Sequence, residues 1–179
     1  MGTLLPAAYS NNGPSGRALD ELILTPMELN RNNTWLCDLI PYSLSNKNQM
    51  CKIEELYNPL IKLYNLPKPS IPPVPKELTD IERREEILNE LIASEAEILI
   101  LLGDKPIQWF LDYYINVKIL SLSNFSKKYG HSRVLSVAGK QLSVFAFAHP
   151  RQIAGLGFHS TEWFRKHKDW IETKKHLYE

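Results

Sequence analysis

Residues 97–106, EILILLGDKP, supply the clearest strand signal in the chain and point to its fold class. The run 97–102 is almost continuously apolar, so the strand that it predicts has to be buried on both faces. Strands of this kind occur in parallel sheets that helices cover on both sides. Gly103-Asp104-Lys105-Pro106 ends the run with turn-forming residues, and a helical pattern follows at 107–114.

Shorter apolar runs elsewhere in the chain predict further strands at 35–40, 134–137 and 142–148. Helical patterns alternate with them at 18–24, 53–64 and 162–175, and a capping-box pattern starts another helix at Thr79. This alternation predicts the α/β class. We expect a three-layer α/β/α fold with a central, mostly parallel sheet of about four strands.

Length and composition limit the possibilities further. The 179 residues predict a single domain, 1–179, with an extended connector at 66–75 that contains five prolines. The net charge of +1 excludes a strong global field for nucleic acid, so any anion site has to be local. The chain has two cysteines and shows neither a long apolar run nor a signal-peptide pattern. We therefore predict a cytoplasmic protein without a membrane association. A monomer is favoured.

Three predicted strand ends carry the candidate functional residues. They are Asp38-Leu39-Ile40-Pro41-Tyr42, Gly103-Asp104-Lys105-Pro106 and His149-Pro150-Arg151-Gln152. Ligands of open α/β folds bind beyond the carboxyl ends of the strands, which favours a shared site. Ordinary turns account for the same residue types, because Asp, Gly and Pro are favoured there for backbone reasons.

The sequence of the carboxyl-terminal region is more typical of a phosphate-binding site than of a metal site. His149, His159 and His167 are ten and eight residues apart and form no compact ligand pair, so we predict neither a metal nor a cofactor. Residues 151–175 contain six Lys or Arg and three acidic residues, a local net charge of +3. Ser160 or Thr161 can cap the last helix, whose amides are suited to phosphate. A solvated helix face explains the same charges.

The order of these signals resembles that of the uracil-DNA glycosylase-like superfamily across most of the chain. Each piece is short, and the likeness lies in their order and spacing. The matching pieces are Gly13-Pro14-Ser15-Gly16-Arg17-Ala18-Leu19, Asp38-Leu39-Ile40-Pro41-Tyr42, the strand at 97–103, His149-Pro150, His159-Ser160, Trp163 and His167-x-x-Trp170.

The resemblance implies a DNA repair glycosylase that hydrolyses the N-glycosidic bond of a damaged or deaminated base flipped out of DNA. His149 would then be the catalytic residue, near the base and the scissile sugar. The base would be bound by Asp38 and by Tyr9 or Asn11, where the family has a stacking aromatic. The DNA phosphates would be bound by Arg151, Gln152, Ser160, Arg165 and Lys166.

Two departures from the family pattern leave activity open. Gly2-Thr3-Leu4-Leu5-Pro6 has leucines where the family has an acid or amide, and no strand precedes it, so a truncated or late start is expected. Asp38 replaces the usual Asn, and an ionised carboxylate cannot donate to a carbonyl of uracil. The alternatives are a glycosylase for another base, a non-catalytic member that binds nucleic acid or a ligand, and a small-molecule enzyme using the same cleft.

Overall fold

The computed structural model describes residues 13–41, 44–69, 72, 78 and 80–175. They belong to two compact units. The first unit comprises Met1–Leu36 and Asn89–Glu179, and the second comprises Cys37–Leu88. The expectation of one domain over 1–179 stays a prediction. No helix among the described residues is both long and apolar enough to cross a membrane.

Described helices overlap the predicted patterns at 18–24, 53–64, 107–114 and 162–175, and three of them continue into π-helical turns. The π-helical turns are Asp20–Leu24, Ile53–Tyr57 and Ile107–Leu111, and a 3-10 turn covers Thr25–Met27. The α-helices are α1 (Pro14–Leu19), α2 (Lys47–Lys52), α3 (Asn58–Tyr64), α4 (Ile81–Ala93), α5 (Asp104–Pro106), α6 (Asp112–Tyr114), α7 (Leu122–Phe125), α8 (Pro150–Ile153) and α9 (Ser160–Lys175).

A mixed sheet forms the centre of the first unit. Its strands are β1 (Ile98–Leu102), β2 (Arg133–Val137) and β3 (Lys140–Phe147), with β3 in the middle. β1 pairs with β3 in parallel, in a register that places Leu102 opposite Phe147. β2 pairs with β3 in the antiparallel sense through a two-residue turn, Ala138-Gly139, in which both φ angles are positive. Such turns match the twist of a hairpin.

The mixed α/β class predicted from the sequence is confirmed, but the sheet is smaller than expected. Within the described residues it has three strands, and only one of its two pairings is parallel. The strand predicted at 35–40 is wrong: this segment is in no strand, and Trp35 is 69% exposed. The sequence of a short apolar run does not show by itself whether the fold offers a neighbouring strand with which the run can pair. The three-layer arrangement stays a prediction.

The second unit contains α2, α3 and most of α4, and side chains cap the starts of α2 and α4. The Asn46 side chain accepts from the Gln49 N–H while the Gln49 side chain accepts from the Asn46 N–H, so the helical segment begins earlier than the pattern at 53–64 predicts. At α4 the Asp80 carboxylate accepts from the Arg83 N–H. The predicted helix start at Thr79 lies outside the described residues, as does part of the proline-rich connector, whose residues 66–69 and 72 form no helix or strand.

Candidate functional site

The carboxyl ends of β1 and β3 bring Gly103 and His149 together. The Gly103 N–H donates to the Phe147 carbonyl at 2.7 Å, which extends the parallel pairing by one residue. Gly103 has a φ of +94°, a region that favours glycine, and a Cβ built there would lie 3.8 Å from the Cβ of His149. Two of the three predicted strand ends therefore share one edge of the sheet, as expected.

The imidazole of His149 is held by the backbone of the following helix. Its Nδ1 accepts from the Arg151 N–H at 3.2 Å, so His149 caps α8. Because Nδ1 acts as the acceptor, the neutral ring carries its proton on Nε2. Although the residue is exposed as a whole, partial burial of the ring lowers the pKa of His149, and the nearby Arg151 charge lowers it further. The arrangement presents a neutral N–H donor.

Asp104, beside Gly103, has a structural role. Its Oδ1 accepts from the Leu122 N–H at 2.7 Å and so holds the start of α7. A carboxylate that is already hydrogen-bonded to a backbone amide is less available to a ligand. The chemistry of this edge is therefore concentrated in His149 and the residues that follow it.

The predicted phosphate-binding residues occupy the turn after His149 and the first turns of α9. Arg151 is exposed, and the Gln152 side chain donates to the Phe158 carbonyl at 3.3 Å, which closes the loop between α8 and α9. Ser160 is the first residue of α9. Gln152 is thus engaged within the protein, whereas Arg151 points its charge to solvent.

Farther along α9, the two predicted cations differ. Arg165 is exposed, whereas the Lys166 ammonium lies 2.6 Å from Oε1 of Glu162 and 4.8 Å from the ring centroid of Trp163. The hydrogen bond from Lys166 lowers the pKa of Glu162, so that carboxylate stays ionised and partly offsets the lysine charge. Arg165 is the freer of the two for a phosphate.

None of the predicted base-binding residues belongs to the described part of the first unit, which contains His149. Asp38 belongs to the second unit, is exposed, and its carbonyl accepts from the Arg83 guanidinium at 2.9 Å. It does not follow a strand, because the strand predicted at 35–40 does not form. Tyr9 and Asn11 lie outside the described residues, as do residues 2–6, where the family has its first catalytic motif.

A partly buried chain of hydrogen bonds, which we call the Tyr129–His167 relay, supports the strand end behind His149. The Ala148 N–H donates to the Tyr129 hydroxyl at 3.2 Å, and that oxygen lies 2.8 Å from Nδ1 of His167. Nε2 of His167 lies 2.7 Å from the Leu22 carbonyl. A carbonyl only accepts, so Nε2 carries the proton and the Tyr129 hydroxyl donates to Nδ1.

Burial keeps both members of the relay neutral. His167 is 1% exposed, and desolvation lowers its pKa although the bond to Leu22 acts in the opposite direction. Desolvation raises the pKa of Tyr129. The sequence placed His167 beside Trp170 on the last helix, and the ring centroids are indeed 5.0 Å apart. It gave no role to Tyr129, since nothing in the local pattern pairs residues so far apart in the chain.

Comparison of the chain with protein-family models, with curated proteins and with solved structures finds no match. The resemblance to glycosylases therefore rests on the sequence motifs alone.

Proposed function

We propose that the chain is a DNA base-excision glycosylase, which hydrolyses the N-glycosidic bond of a damaged or deaminated base. One observation carries the proposal: His149 lies at the carboxyl edge of the parallel strand pair with Nδ1 occupied by the Arg151 N–H. Its Nε2–H is the donor that the family chemistry requires. The motif order of the sequence, which resembles that of uracil-DNA glycosylases, supports the same function.

In this mechanism the base leaves as an anion while the bond to the sugar breaks. A neutral imidazole donor near the departing base stabilises that charge without giving up a full proton, and one well-placed donor contributes about 3 kcal/mol. The lowered pKa of His149 favours the neutral form at pH 7. The DNA backbone would be positioned by Arg151, Arg165 and Lys166, with Gln152 and Ser160.

The test compares the native chain with two variants on duplex oligonucleotides that carry uracil, hypoxanthine or xanthine. His149→Asn can keep the cap of α8, because the amide oxygen can accept from the Arg151 N–H, but it lacks the imidazole donor. His149→Ala removes both. We expect both variants to cleave roughly a hundredfold more slowly than the native chain or worse. Native-like activity in either variant would refute the role of His149.

The non-catalytic alternative has its own support in Leu4 and Leu5, which replace the expected acid or amide. A member of this kind would bind DNA and cleave none of the three substrates. The same oligonucleotides separate the two functions, since binding is measured in parallel with cleavage. DNA as the partner and a cytoplasmic location are part of both proposals.

A further inference from the structure

A second candidate site lies in the first unit, in a cleft of about 350 Å³ between the segment 122–131 and α9. Neither Gly103 nor His149 lines it. Its walls carry three lysines, Lys127, Lys128 and Lys166, and we call it the lysine cleft. Of these, only Lys166 was singled out by the sequence, as a candidate contact to DNA phosphate.

The charges of the lysine cleft are unbalanced. Asp169 is the acidic residue on its lining, and Lys166 is already paired with Glu162. Lys127 and Lys128 are exposed and form no ion pair with any residue that the structure describes. Neighbouring cations repel one another, so an anion bound between them would lower the electrostatic free energy of the cleft.

The polar groups of the cleft fit an oxyanion better than a planar base. The Ser126 Oγ accepts from the Lys128 N–H at 3.4 Å, which leaves the hydroxyl hydrogen of Ser126 to donate elsewhere. The Trp163 ring already contacts the Lys166 ammonium at 4.8 Å and the Tyr129 ring at 5.9 Å. The cleft therefore offers ammonium and hydroxyl donors, and its Trp163 ring already packs against Lys166 and Tyr129.

We propose that the lysine cleft binds a phosphate group through Lys127 and Lys128, with the Ser126 hydroxyl as an additional donor. The phosphate comes either from the backbone of DNA or from a free phosphate ion. The first source extends the DNA contact beyond Arg151 and Arg165 and rests on the proposed function. The second stands independently of it.

The first experiment titrates the full chain with inorganic phosphate and follows its backbone amides by NMR, at constant ionic strength against chloride. We expect shifts at residues 126–131 and 163–170 and little change at Gly103 and His149. The double variant Lys127→Ala/Lys128→Ala should bind at least about tenfold more weakly, since phosphate contacts of lysine are charge-assisted. Lys118→Ala, which removes an exposed lysine outside the lining, should bind as the native chain does.

A second arm measures binding of an undamaged duplex oligonucleotide to the same proteins. Weaker DNA binding and a smaller salt dependence in the double variant, but not in Lys118→Ala, assign the cleft to the DNA backbone. Unchanged DNA binding together with weakened phosphate binding assigns it to free phosphate. If the double variant matches Lys118→Ala in both arms, the proposal is overturned. Neither experiment measures base cleavage, so both results can be interpreted even if the chain has no glycosylase activity.

Discussion

The Tyr129 hydroxyl lies 2.8 Å from Nδ1 of His167 and joins the loop before β2 to the buried face of α9. The same hydroxyl accepts from the N–H of Ala148, the residue before His149. The position of His149 therefore depends on a side chain that is remote in sequence and hydrogen-bonds to the residue before it. Loss of the relay should affect both stability and the geometry of the strand end.

Tyr129→Phe removes the hydroxyl and keeps the ring. It leaves the Ala148 N–H and Nδ1 of His167 without this partner, and each unsatisfied buried group costs about 1–3 kcal/mol. We expect the free energy of unfolding to fall by about 2 kcal/mol or more. Urea unfolding followed by tryptophan fluorescence reports on the first unit, because all four tryptophans belong to it.

Tyr113→Phe is the matched control, since Tyr113 belongs to the same unit and is 56% exposed. Its substitution should change stability by less than about 0.5 kcal/mol, as surface changes usually do. Equal stability of the two variants would show that the relay contributes nothing.

The stability of the first unit should fall in mild acid. Burial lowers the folded-state pKa of His167. It also lowers the folded-state pKa of His149, which is the more exposed of the two. In the unfolded chain both imidazoles have a pKa of about 6.5. Below that pH the unfolded chain takes up protons that the folded chain takes up less readily. The stabilisation is therefore complete above about pH 6.5 and is lost as the pH falls toward the lowered folded-state pKa values.

Urea unfolding at a series of pH values from 8 to 5 measures this dependence. His167→Gln removes one titrating group and should make the free energy of unfolding depend less on pH. His149→Ala should also reduce this pH dependence, by the contribution of its own imidazole. A native curve without a decrease below pH 6.5 would contradict the neutral, buried state of His167.

Gly130 and Gly139 provide a test of packing against α9. Both have positive φ values, +77° and +88°, so alanine at either position adopts a strained backbone. A Cβ at Gly130 would overlap the indole of Trp170, whereas nothing lies within 4 Å at Gly139. We expect Gly139→Ala to cost about 1–2 kcal/mol and Gly130→Ala a further 1–3 kcal/mol, measured by thermal or urea unfolding. Equal losses would mean that the Trp170 contact adds no strain.

The elements that the sequence predicts best are those whose signals are local. The apolar run at 97–102 and the pattern at 162–175 identify β1 and α9 to within two residues. The capping of α8 by His149 is likewise a local property of His149-Pro150-Arg151. Gly103 and His149 follow parallel strands, which explains why their proximity could be predicted.

The features that the sequence did not reveal depend on contacts between distant residues. The run at 35–40 has a strand-like composition, but the Asn30 and Asn33 side chains accept backbone N–H groups just before it and favour a turn. Lys127 and Lys128 line a cleft only because α9 lies opposite them. Neither effect is visible in composition or periodicity.

DNA binding should depend on salt, and the candidate cations should contribute unequally. Each phosphate contact releases counterions, so the logarithm of the binding constant should fall with the logarithm of salt concentration. Arg151→Ala and Arg165→Ala should each reduce that slope by about 1. Lys166→Ala should reduce it less, because Glu162 already offsets the Lys166 charge at 2.6 Å.

The measurement is fluorescence anisotropy with a labelled undamaged duplex at several salt concentrations, with Lys118→Ala as the control that keeps the native slope. Absence of binding at low salt, or a native slope in both arginine variants, would remove DNA phosphate from the roles of these residues.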